Sequence, residues 1–183
     1  VVALILVLAA ALALRVVGLD WDQGHHLHPD ERFLSMVLNQ IHPASGFWEY
    51  LDPNISPLNP FNHGISFFVY GTFPLFLLEW LARLLGFEGY DRAYLLGRVL
   101  SAFFDTGTVL VVYLIGRRLL SSGAALFAAA LLGFAVLSIQ IAHFFAVDTF
   151  ATFFATTGLL FFLRYTVERR AHDLTLFGVA TGL

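Results

Sequence analysis

Residues 93–119 read AYLLGRVLSAFFDTGTVLVVYLIGRRL. As a helix this stretch is long enough to cross a bilayer, whose ~30 Å of hydrocarbon takes roughly 20 residues at 1.5 Å each. It carries two charges inside its apolar run, Arg98 and Asp105, and closes on the pair Arg117 and Arg118. Leu, Val and Phe follow one another without the strict alternation of a barrel strand, so a transmembrane helix is the reading.

Working outward, similar apolar runs cover 1–17, 65–85, 124–142 and 148–167, and another starts near 174. The whole chain is 58% hydrophobic and only 13% charged, outside the range of water-soluble domains. The expected fold is therefore all-α, a polytopic transmembrane helical bundle. The first run sits where a signal peptide would, but it lacks a basic start and has Arg15 near its far end, so it is read as a membrane helix. Because the chain opens inside one apolar run and stops inside another, an N-terminal fragment of a single larger domain, 1–183, is expected. Cysteine is absent, which excludes disulfides and thiolate metal sites. All ten basic residues are arginine and the net charge is −3, which leaves no basic stripe for nucleic acid.

Arginine distribution sets the orientation, because short cytoplasmic loops collect positive charge. Arg117 and Arg118 mark one such end; Arg164, Arg169 and Arg170 mark another, two spans later. With 93–119, 124–142 and 148–167 as spans and a further one beginning in 174–183, both clusters fall on the cytoplasmic side. Residues 18–92 then form one large external loop. Within it, 65–85 lies in the interface or dips in and returns, with Pro74 in mid-run and Glu79 and Arg83 along it. Residues 28–41 are expected as an interfacial helix with proline in its first turn and its apolar residues, Phe33, Leu34, Val37, Leu38 and Ile41, on one face. Residues 42–64, rich in proline, asparagine and glycine, are expected as irregular loop.

The adjacent acids Asp30 and Glu31 open that interfacial helix. First-turn acids meet the helix dipole, which accounts for them structurally. Asp30 also shares the stripe of Phe33, Leu34 and Val37, which places a carboxylate at head-group level, where it is positioned to take a proton from an attacking hydroxyl. Ionisable residues inside a span are costly and mark functional positions. Arg98 is therefore read as serving an anionic ligand or a catalytic acid, and Asp105 as structural. Two turns separate these residues, so each is expected to face another element. Asp148 opens a span beside His143. The cluster His25, His26 and His28 next to the two acids admits a divalent metal as one reading, although its spacing matches no metal motif; no cofactor is otherwise indicated. Histidines at the membrane surface or in an acceptor groove are the preferred alternative. Trp21, Trp48 and Tyr50 are the loop aromatics set apart from packing material.

In this order the first span, the Asp30-Glu31 helix, a second interfacial helix, Gly97-Arg-Val-Leu-Ser-Ala102, the Arg117-Arg118 exit and His143-Phe-Phe-Ala-Val-Asp148 resemble the C-type (GT-C) membrane glycosyltransferases. The pattern is most similar to the family 39-like enzymes, which include protein O-mannosyltransferases and the lipid A aminoarabinose transferase. The resemblance implies a larger transmembrane bundle, the lipid bilayer as setting, and a polyprenyl-phosphate sugar as donor of a hexosyl or pentosyl group. It implies Asp30 as general base, Glu31 as the neighbour that sets the site, Asp148 as a second acid that holds the acceptor or orients Arg98, and Arg98 as a charge partner near the phosphate. His28, His63 and His143 are the accompanying substrate-binding candidates. Inverting transfer to an acceptor hydroxyl of a protein, lipid or glycan, on the extracytoplasmic side of a bacterial or archaeal plasma membrane, follows from the same resemblance. The His-rich lead-in and the Asn59-Pro60-Phe61-Asn62-His63-Gly64 entry depart from the protein O-mannosyltransferases, so no acceptor is assigned. The rival reading is a transporter with an intramembrane Arg/Asp substrate site.

Overall fold

A computed structural model describes residues 1–182, and helix is the regular secondary structure found there, with no strand among them. Among the described residues nine α-helices follow in chain order: α1 (Val2–Val16), α2 (Pro29–Leu38), α3 (Phe47–Leu51), α4 (Phe73–Leu85), α5 (Tyr90–Leu119), α6 (Ser122–Gly133), α7 (Val136–Ala142), α8 (Val147–Glu168) and α9 (Ala171–Gly182). Two of them, α5 and α8, are long and apolar enough to cross a membrane, and the bent pair α6 and α7 makes a third if it is one span. At 15 residues α1 reaches roughly 22 Å, short of the hydrocarbon thickness by itself. Contacts group the chain into two compact units, one of Val1–Leu19, Ser101–His143 and the residues from Asp148 on, the other of Asp20–Leu100 with Phe144–Val147.

In the first unit α1 packs on α6 and α7. Close approach needs small residues: Gly133 lies against Ala11, and Gly116 lies so near Ala125 that a Cβ on it would meet the Ala125 methyl at 2.9 Å. Farther along α5, Gly107 accommodates the Phe153 ring of α8 in the same way. Phe103, Leu114, Phe127, Leu131 and Phe162 remain exposed on these helices, as apolar side chains facing lipid do.

The run 124–142, expected as one continuous span, is broken. α6 ends at Gly133, α7 begins at Val136, and the two are bent by 55°. A break inside an apolar run leaves backbone carbonyls without helical partners, which hydrocarbon does not tolerate. Arg15, fully buried, supplies the donors: Nη1 donates to Gly133 O at 2.8 Å and Ala11 O at 2.9 Å, and Nη2 to Ser138 Oγ at 3.1 Å. Asp105 neutralises the guanidinium at 2.5 Å and accepts from Ser138 Oγ at 2.7 Å. The span charge read as structural is thus the counter-ion of a helix cap. Arg118 pairs with Glu168 at 2.9 Å, so α5 and α8 place their two arginine-bearing ends together.

In the second unit α2 packs on α4. Leu34, Val37, Leu38 and Ile41 are buried there with Leu75, Leu78 and Ala82 of α4, so most of the apolar face of α2 is covered by protein and not by lipid. Fully burying each such leucine is worth about 2 kcal/mol. Residues 65–72 are not helical, and Pro74 stands in the first turn of α4, not in mid-run, which leaves the α4 hydrogen-bond ladder intact. The loop 42–64 is more ordered than expected: it contains α3 and a 3₁₀ turn at Pro60–His63 closed by Gly64 in the left-handed region (φ 77°).

Candidate active site

The second unit brings Asp30, Glu31, Arg98 and His28 into one neighbourhood. Pro29 fixes the first turn of α2, and the acids that follow it face different surroundings. Glu31 is completely buried and forms a two-point bridge to Arg98, Oε2 to Nε at 2.8 Å and Oε1 to Nη2 at 2.5 Å. Its Oε2 also accepts the Phe145 N–H at 2.7 Å. Asp30 is half-buried, and Tyr70 donates its hydroxyl to Oδ1 at 2.9 Å. One acid is therefore locked and the other is open to an incoming group.

Arg98 is enclosed on every side, and its guanidinium is held by two carboxylates, Glu31 and Asp22, the latter at 2.9 Å. The Tyr94 ring covers it at 4.7 Å from the ring centre. Burial works to raise the Asp22 carboxyl. The hydrogen bonds from Arg98 and from the Leu27 N–H overcome it and hold Asp22 below the ordinary carboxylate range. His26 is buried between Tyr90 and Tyr94, and burial pushes its imidazole below the usual range despite the attraction of Glu31 and Asp22. A neutral His26 leaves Arg98 as the cation of the cluster.

Asp22, Tyr70 and Phe145 were not legible as site residues. Asp22 follows the first apolar run in Asp20-Trp21-Asp22, an acidic pair that is the one signal available for it; nothing in the sequence joins Tyr70 to Asp30.

The remaining candidates have other surroundings. His28 stacks on Phe144 at 4.3 Å, and His25 lies exposed against Gln23 O. Among the described residues no three His, Asp or Glu side chains converge to hold a metal ion. His63 faces Pro57 O at 2.8 Å and the His42 ring at 5.9 Å. In the first unit, His143 ends α7 with Nδ1 against Ile139 O and Nε2 against Val17 O. Asp148 is exposed at the first turn of α8 and lines a cavity of about 440 Å³ with Asp105, Ser138, Thr149 and Thr152.

A family profile described as dolichyl-phosphate-mannose-protein mannosyltransferase matches residues 73–183, more than half of the chain. The chain belongs to this family. Membership makes it an integral membrane glycosyltransferase of the GT-C type with a lipid-linked sugar donor. The matched residues of this mannosyltransferase family include Arg98, His143 and Asp148, whereas Asp30 and Glu31 precede them. No curated protein and no solved structure matches the chain.

Gly97 shows how tightly the site is built. A Cβ there would stand 2.5 Å from the Phe145 ring, itself fully buried and carried by the same residue whose N–H holds Glu31. Gly97→Ala is expected to cost about 1–3 kcal/mol through overpacking, more than the ~1 kcal/mol of helix propensity it gains. Thermal unfolding in detergent measures the loss, and an unchanged midpoint would show that Phe145 moves without cost.

Proposed function

We propose that the protein transfers a sugar from a polyprenyl-phosphate carrier to an acceptor hydroxyl, with inversion, on the extracytoplasmic side of the membrane. The acceptor O–H attacks the anomeric carbon, the new C–O bond forms as the bond to the phosphate oxygen breaks, and Asp30 takes the hydroxyl proton. The carrier leaves as its phosphate, which needs no protonation. One displacement with one base inverts the anomeric centre.

The observation that carries this reading is the division of labour between neighbours: Glu31 is consumed by Arg98, whereas Asp30 is half-exposed with a single phenol donor. Arg98 then acts through Glu31, as the residue that fixes the first turn of α2, and not as a ligand of the phosphate. His28, beside this turn, is proposed to line the substrate path; Asp148, exposed at its cavity, is proposed to hold the acceptor, and His63 and His143 remain substrate-contacting candidates.

The break between α6 and α7, with Arg15 and Asp105 at it, is a feature a transporter would share. Its charges are used up, however, since Arg15 caps the freed carbonyls and Asp105 neutralises Arg15.

The test is a panel of polyprenyl-phosphate sugars given to the full protein in detergent, with the anomeric configuration of the product read by NMR. Transfer with inversion is the expected result. Retention would require a covalent sugar intermediate and would overturn the single-base scheme, and no transfer from any carrier would overturn the donor assignment.

A further inference from the structure

We infer that the paired ends of α5 and α8 form a binding site for the phosphate of an anionic phospholipid. A cavity of about 330 Å³ opens there, lined by Tyr113, Leu114, Arg117, Arg118, Leu160 and Arg164. Arg118 is neutralised by Glu168 and Arg164 by Asp173, each at 2.9 Å. Arg117 is different. Its Nη1 donates to the Tyr113 hydroxyl at 3.1 Å, its guanidinium lies 5.9 Å from the Tyr113 ring centre, and among the described residues it meets no carboxylate. Five arginines gather at this end, Arg117, Arg118, Arg164, Arg169 and Arg170, against two carboxylates, Glu168 and Asp173. The excess is three positive charges.

The shape of the cavity selects a lipid over a soluble anion. Its arginines stand at the ends of the two helices that are long and apolar enough to span the membrane, so they lie where hydrocarbon gives way to water. Its other wall is Leu114 and Leu160, one turn or so inward from the arginines, and Leu114 continues onto the exposed apolar flank of α5. A phosphodiester seated against Arg117 would thus lay its acyl chains along leucines. A planar guanidinium without a counter-ion is suited to two-point contact with phosphate oxygens, and basic pockets between membrane helices recognise lipid head groups by this chemistry.

The experiment uses the full protein in detergent, titrated with phosphatidylglycerol, phosphatidylcholine or glycerol phosphate, with bound lipid counted by native mass spectrometry and the unfolding midpoint followed in parallel. Phosphatidylglycerol is expected to bind and raise the midpoint well above phosphatidylcholine. Arg117→Gln, an exposed position outside the candidate active site, should weaken it by about tenfold or more, and Arg117→Lys should keep part of the affinity because the charge remains. Equal binding of the two lipids, or Arg117→Gln binding like wild type, would overturn the site. Glycerol phosphate binding as tightly as the lipid would overturn the lipid assignment and leave a soluble phosphate as the ligand.

Discussion

Asp30→Asn is expected to lower sugar transfer by about 10²–10⁴-fold while leaving the fold in place. The substitution nearly preserves shape, and the side-chain oxygen of asparagine still accepts the Tyr70 hydroxyl that now reaches Asp30 Oδ1 at 2.9 Å. What disappears is the capacity to take a proton. The structural cost should be small, because the position is half-buried and the first-turn charge contributes only ~0.3–1 kcal/mol through the helix dipole. Turnover, carrier binding and the unfolding midpoint, measured on the same preparation, separate these effects. Lost turnover with retained carrier binding and midpoint supports the base assignment. Unchanged turnover moves the base elsewhere, and Asp148, exposed at the first turn of α8, is the next acid to replace.

Some of these structural features are displayed by the sequence and others are hidden in it. The apolar length of α5 and α8, the proline that opens α2 and the shared end of the two arginine clusters are local properties of composition and spacing, and each was readable in advance. The break between α6 and α7 was not, because 124–142 contains no proline and no charged residue that would mark it. The interruption exists because Arg15, 118 positions before Gly133, can satisfy its carbonyl. Arg98 announced itself by its position inside a span, but its occupation by Glu31 and Asp22 depends on pairings 67 and 76 positions apart. An arginine inside an apolar run signals a polar partner without saying whether that partner is a ligand or the protein itself. Asp105 poses the same ambiguity and resolves the same way, through Arg15.

Arg98→Met is expected to be among the most destabilising single changes in the chain, at about 3–5 kcal/mol, because it leaves Glu31 and Asp22 buried without their cation. Methionine approximates the length of the arginine stem, so most of the loss is electrostatic and not a matter of cavity volume. Two consequences distinguish this role from that of a phosphate ligand. Adding Glu31→Gln to Arg98→Met should recover part of the loss, since it removes one uncompensated charge, and the two changes should be far from additive. Acid should also help the single variant: a carboxyl buried without a cation has a folded-state pKa above its unfolded value, so the native state binds more protons and gains stability as pH falls. The wild type runs the other way, because Asp22 is held below the ordinary range by Arg98 and its contribution is lost in acid. Unfolding midpoints of wild type, both single variants and the double variant across pH decide the matter. A stable Arg98→Met protein that has lost only carrier affinity would return Arg98 to the phosphate, and α2 would then need another anchor for the turn that carries Asp30.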